Sequence, residues 1–134
     1  MGVYTGQQAK YHTAPVLNFY PVAKSITCDL GTAASMFWEI AQIEVKAGEE
    51  AAFEAAVAKA VPLFKSSRGC KGMRLHRSVE HPSRYRLVVD WETVEDHTVH
   101  FRGSANFLEW RRLVGPHFAS PPVVEHTHVV VVGF

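Results

Sequence analysis

The feature that most constrains this chain is the order in which hydrophobic periods succeed one another from residue 37 onward. From Phe37 to Lys46 the pattern alternates, with Phe37, Ala41, Ile43 and Val45 on one face and Trp38, Ile40, Gln42 and Glu44 on the other. A period of two is that of a strand. At Ala47-Gly48 the period changes. Glu49 and Glu50 open a helix at the end where acids suit the dipole, and Phe53, Val57, Val61 and Phe64 follow at helical spacing. Pro62 lies inside this helix and predicts a kink or an end near Lys65.

Alternation returns over Cys70–Val79, where Met73, Leu75 and Val79 oppose Arg74, His76 and Ser78. His81-Pro82-Ser83 is turn chemistry, and Tyr85, Leu87, Val89 and Trp91 mark a third strand hairpinned to the second. Thr93, with Asp96 three residues on, reads as an N-cap for a short helix from Val94 to about Phe101. Gly103-Ser104 breaks it. Phe107, Trp110, Leu113 and Val114 form a second helical stripe, closed by Gly115-Pro116, and Val123–Val132 reads as a last strand. The order strand, helix, strand, strand, helix, strand predicts an α+β fold of the ferredoxin-like βαββαβ kind, an antiparallel sheet with helices on one face.

The 134 residues suit one domain. Residues 1–35 differ from the rest: Gly2, Gly6, Pro15, Pro21 and Gly31 stand among Tyr4, Tyr11, Phe19 and Tyr20 with no sustained period. They read as an N-terminal arm or extension ahead of a domain at 36–134. Leu17–Val22 could add a short edge strand. Two readings of the arm stand: Met36 is the natural start, or the aromatic arm packs on a partner subunit.

Formal net charge is +1, with no basic stripe, so no nucleic-acid partner is expected. No apolar run approaches the roughly 20 residues of a membrane span, and no leader pattern is visible. Cys28 and Cys70 form neither a CxxC pair nor a disulfide framework, which predicts a reduced, cytoplasmic setting.

Several strands are apolar on both faces, as with Trp38 and Ile40 opposite Ala41 and Ile43, and Val88 opposite Leu87 and Val89. Two helices cover one face only, so a homodimer packing sheet on sheet is expected.

Four stretches carry a resemblance: FWEIAQIEVKAGEEAAFEAAV, GCKGMRLHRSVEHPSRYRLVVDWET, EDHTVHFRGSANFLEWRRLVGPHF and PPVVEH. Together they resemble the antibiotic biosynthesis monooxygenase family of dimeric α+β barrels, from Met36 to about Phe134. The resemblance implies cofactor-independent oxygenation of a quinol, anthrone or other polyphenolic small molecule in some members. Others resemble haem-degrading enzymes or proteins without assigned activity. The haem-degrading members use an Asn on the first strand and a helical Trp beside a ligating His. Here Gln42 stands on the first strand and His100 precedes Trp110, which counts against haem.

Oxygenation without a cofactor needs an electron-rich substrate, a base and a dry pocket. His is the natural base near neutral pH. His97 and His100, three residues apart, are expected on one helical face, and the family carries His at the position of His100. The expected catalytic residues are therefore His100 and His97. Phe101, Phe107, Trp110 and Phe118 are expected as pocket walls for an aromatic substrate, with His76 as a further substrate contact. In the bland alternative His100 braces the helix break, Trp110 is core and the protein is a non-catalytic binding or accessory dimer. His126 and His128 alternate on the last strand and, with His97 and His100, suggest a third, metal- or haem-binding reading. No carboxylate or Cys completes a ligand spacing, so neither metal nor other cofactor is expected.

Overall fold

The computed structural model describes residues 36–134. The expectations for the arm at 1–35 lie outside them. The described residues belong to two units, Phe37–Thr127 and, with Met36, the terminal stretch His128–Phe134. That stretch carries no helix or strand, and Val130, Val131, Val132 and Phe134 are exposed.

The larger unit runs β1 (Phe37–Glu44), α1 (Glu50–Lys65), β2 (Cys70–Arg77), β3 (Arg84–Trp91), a π-helical turn (Asp96–Phe101), α2 (Ala105–Val114), a 3₁₀ turn (Gly115–His117) and β4 (Val123–Thr127). The strands lie in the order β2-β3-β1-β4, and every neighbouring pair is antiparallel. This is the ferredoxin-like arrangement. The side chains of one sheet face, Ala41, Ile43, Tyr85, Leu87, Val89 and Trp91, pack with Phe53, Val57, Ala60 and Phe64 of α1 and Trp110 and Val114 of α2.

Three expectations are corrected. First, α1 buries Phe53, Val57, Ala60 and Phe64, while Val61 is 43% exposed. Ala60 continues the seam at the correct phase, and Val61 falls one position beyond it. The helix runs through Pro62 and ends at Lys65, where the sequence placed its end. Pro62 and Ala58, whose carbonyl loses its amide donor, both lie on the exposed side, where water can replace the missing bond. Second, β2 ends at Arg77, and Val79 is exposed. Third, β4 ends at Thr127, paired with Trp38. Because β1 begins at Phe37, alternation in the following valines has almost no further rung to join.

Gly48 and Gly69 have φ of +89° and +75°, where L side chains are strained. A Cβ on Gly48 would meet nothing within 4 Å, whereas one on Gly69 would stand 2.0 Å from Oδ2 of buried Asp96. Gly69 thus lets Asp96 close over the β2 entrance, beside the Arg68 guanidinium at 3.5 Å. Gly48→Ala should cost about 1 kcal/mol of backbone strain, and Gly69→Ala about 3 kcal/mol or more, because overpacking adds to strain. Urea unfolding midpoints of the two variants test this; equal losses would show that the Asp96 contact is not tight.

Candidate functional site

β1 alternates strictly, so the inward positions are Phe37, Glu39, Ala41 and Ile43. One of them is a carboxylic acid. Glu39 is 5% exposed and stands between Val89 of β3 and His126 of β4 in the sheet register. Its Oε1 accepts a hydrogen bond from Nε1–H of Trp91 at 3.0 Å. Its Oε2 lies 3.4 Å from Nε2 of His97, which is 2% exposed. His97 Nδ1 is in turn 2.8 Å from Nε2 of His126, itself 6% exposed. The His97 ring stacks on Trp91, with centroids 5.4 Å apart and planes 20° from parallel. A buried polar chain, Trp91–Glu39–His97–His126, therefore crosses from β3 through β1 and the π-helical turn to β4.

The turn that supplies His97 starts with a local bond: Thr93 Oγ1 accepts from Asp96 N–H at 3.1 Å, the cap anticipated at Thr93. It then widens, with Arg102 N–H reaching the His97 carbonyl at 3.1 Å, a five-residue step. π-helical turns recur at functional sites. The widened turn also separates the two histidines expected to share a face: His97 is buried and His100 exposed, because residues three apart are neighbours at α-helical pitch and diverge at the wider π-helical pitch.

The remaining expected residues are distributed as follows. Phe101 is buried at 4.7 Å from Phe64 and 5.5 Å from Trp91. Trp110 packs edge-on against Phe64 at 4.9 Å, and Phe107 edge-on against Phe101 at 5.6 Å. Phe118 is half-buried against Phe53, near the opposite end of β1, where Val45 bridges it. His76 is exposed on β2 and faces away from α1 and α2, as do Arg74, the half-buried Ile40 and the buried Val88. His128 lies beyond β4, in the other unit. The structure thus brings together His97, Phe101, Phe107 and Trp110, and leaves His100, His76 and Phe118 outside that cluster. Glu39 and Trp91 complete the chain without being among the expected site residues. The signal for Glu39 was a carboxylate at an inward register position in FWEIAQIEV. Among the described residues no group of three or more His, Cys, Asp or Glu is placed to hold a metal ion.

Burial dominates the electrostatics. It raises Glu39 from 4.5 to about 7, against the Trp91 hydrogen bond and the Arg102 charge, which both favour the carboxylate. Burial first, then the charges of His126 and Arg102, lower His97 from 6.5 to about 3. Near neutrality His97 is thus a neutral imidazole, able to accept at one nitrogen and donate at the other, beside a carboxyl poised to exchange a proton. Such groups are suited to general acid–base work.

The family follows from comparison with known proteins. The family model for "Antibiotic biosynthesis monooxygenase" matches residues 36–113. YczJ of Bacillus subtilis (strain 168), an uncharacterized protein, is 38% identical over 91 residues, covering 68% of this chain and 96% of YczJ. A crystal structure of an antibiotic biosynthesis monooxygenase-family protein from Bordetella bronchiseptica is 60% identical with a TM-score of 0.71, covering 72% of this chain and 98% of that one. A similar family protein from Nitrosomonas europaea, at 23% identity and a TM-score of 0.64, shares the fold, covering 72% of this chain and 92% of its own. The fold is thus that of a small ferredoxin-like α+β protein, and this chain belongs to the antibiotic biosynthesis monooxygenase family. No helix among the described residues is long and apolar enough to cross a membrane.

The two shifted groups give opposite pH dependences. Unfolded Glu39 ionises near 4.5 and folded Glu39 near 7, so its contribution to stability is full below 4.5 and falls as pH rises to about 7. Unfolded His97 takes its proton near 6.5 and folded His97 near 3, so its contribution is full above 6.5 and falls as pH drops to about 3. Between 4.5 and 6.5 the slopes oppose each other. Glu39→Gln removes only the first. Relative to wild type, the variant should gain roughly 3 kcal/mol of stability between acid and alkaline pH. Urea unfolding at about pH 4.5 and about pH 8 reads this difference; an unchanged difference would mean that Glu39 ionises normally in the fold.

Proposed function

We propose that this protein is a cofactor-independent monooxygenase acting on a quinol, anthrone or other electron-rich polyphenol as a homodimer. The observation that carries the reading is the buried His97, stacked on Trp91 and joined to Glu39 and His126. For an anthrone, the base removes a ring-methylene proton. The carbanion transfers an electron to oxygen, the radical pair combines to a hydroperoxide, and loss of water leaves the ketone. The sum is R₂CH₂ + O₂ → R₂C=O + H₂O. The chain's contributions are proton removal, exclusion of water and an aromatic surround in which a flat anion is held. The abstracted proton is proposed to pass into the His126–His97–Glu39 chain, and His100 is kept as a residue at the rim. A cytoplasmic setting goes with the reduced Cys70.

One observation favours a second reading. Trp110 and Phe101 pack into the core cluster, as in a non-catalytic binding or accessory protein of the same fold. Oxygen uptake by chelator-treated protein with a panel of anthrones and hydroquinones separates the two. The monooxygenase reading expects uptake above the spontaneous rate, reduced by at least about a hundredfold in His97→Gln and little changed in His100→Ala. Uptake at the spontaneous rate across the panel favours the accessory reading, and loss confined to His100→Ala moves the base to that residue.

The homodimer is supported by the sheet face turned away from the helices, where Ile40 directly opposes Val88 across β1 and β3 and Trp38 continues the apolar strip. Charging this strip with Ile40→Glu should convert a dimeric protein to monomer in sedimentation equilibrium. A monomeric wild type would overturn the sheet-to-sheet dimer.

A further inference from the structure

We propose that Glu39 is the proton store of a three-member relay, Glu39–His97–His126, in which one carboxyl proton sets the tautomer of both imidazoles. Its part in turnover rests on the monooxygenase reading; the relay itself rests on donor and acceptor geometry. The indole N–H of Trp91 can only donate. It occupies Oε1 of Glu39 at 3.0 Å, so Oε1 is held as an acceptor. A proton on the carboxyl is then favoured on Oε2, the oxygen 3.4 Å from His97 Nε2.

Two consistent states follow. With Glu39 protonated, Oε2–H donates to His97 Nε2, and His97 Nδ1–H donates to His126 Nε2 across 2.8 Å. With Glu39 ionised, both bonds reverse: His97 Nε2–H donates to Oε2, and His126 Nε2–H donates to His97 Nδ1. The first state is reached from the second by adding a single proton. When the His126 ring takes up this proton, the His126 Nε2 proton passes to His97 Nδ1, and the His97 Nε2 proton passes to Glu39 Oε2. The carboxylate is neutralised, and both imidazoles are neutral before and after. No buried imidazolium is required, which is the state that low polarity penalises most.

Glu39 is faced by Trp91 from β3, His97 and Arg102 from the π-helical turn and its end, His126 from β4 and, through the field, Cys70 at the start of β2. Arg102 is the nearby fixed positive charge acting on it. That charge keeps the ionised state within reach in a site that otherwise excludes charge.

Glu39 is on this account a positioning residue, and tautomers report on it directly. Long-range proton–nitrogen correlation spectra of the histidine rings, from about pH 5 to about pH 9, bracket its titration near 7. Wild type should show His97 as the Nδ1–H tautomer at acid pH and the Nε2–H tautomer at alkaline pH, with His126 reversing over the same interval. In Glu39→Gln the amide oxygen still accepts from Trp91 and the amide N–H₂ donates to His97 Nε2. His97 should then stay Nδ1–H throughout. A single His97 tautomer across the range in wild type, a doubly protonated His97 within it, or a reversal that survives in Glu39→Gln would each overturn the relay.

Infrared spectra of wild type give a second reading that needs no variant. A protonated-carboxyl stretch should persist at about pH 6, where exposed carboxyls are ionised, and vanish by about pH 8. Its absence at the lower pH overturns the store. Neither readout needs turnover. Tautomer reversal without oxygen uptake keeps the relay and removes the monooxygenase reading, and uptake with a fixed tautomer does the opposite.

Discussion

Glu39 occupies a position where the pleat of β1 calls for an apolar side chain, and the Trp91 indole N–H is what makes the carboxyl tolerable there. A buried ion with no partner costs several kcal/mol. Here the acid escapes most of that cost by holding its proton, and the rest is offset by one fixed donor and one imidazole. Much of the neighbouring architecture follows from this bond. Trp91 must end β3 on the inward face, level with Phe37 of β1, so that its ring covers His97 while its N–H reaches Glu39. The ring can stack only because the π-helical turn brings His97 over it. Phe101, four residues on, then packs against both rings, 5.5 Å from the indole and 6.2 Å from the imidazole.

The turn itself has local supports on both sides. Thr93 starts it, and Ser104 ends it by accepting from Phe107 N–H at 3.2 Å as the cap of α2 while donating to the Phe101 carbonyl. Asp96, also buried, is held against Gly69. An α-helical turn over the same residues would bring His97 and His100 toward one face. The extra residue in the turn sends His97 inward and His100 to solvent. Wide turns are costly in regular helices, and their cost is commonly met where a side chain must be aimed.

The element order was legible because each segment of Phe37–Thr127 keeps one period long enough to be read, and the turns between them carry Gly, Pro and Ser. Phe53, Val57 and Phe64 announced the buried face of α1, and Tyr85, Leu87, Val89 and Trp91 that of β3. Three things were not legible, each for a physical reason. Glu39 reads as an interruption of an apolar face, since nothing local says that Trp91, 52 residues on, will partner it. The π-helical turn leaves the composition of DHTVHF unchanged and alters only its phase. The end of β4 depends on where its partner strand begins, which the valine run cannot record. His97 was visible as a candidate, but its pairing with His126 is a tertiary fact that spacing does not carry.

The relay ends on the least supported strand. β4 has five residues and, among the described residues, pairs with β1 alone, whereas Trp91 and Glu39 sit on β3 and β1, each held on two sides. Local opening follows such differences, edge elements separating at lower free energy than central ones. The carboxyl end of the chain is thereby fixed in the middle of the sheet, and the imidazole end lies where the backbone can most readily give. A proton store benefits from that division. The group whose burial sets the balance must stay dry and rigid, while the group that exchanges with substrate or solvent must be reached. His97, supplied by a turn and belonging to neither strand, joins the two ends by its ring nitrogens, so rotation of one side chain suffices to break or restore the path.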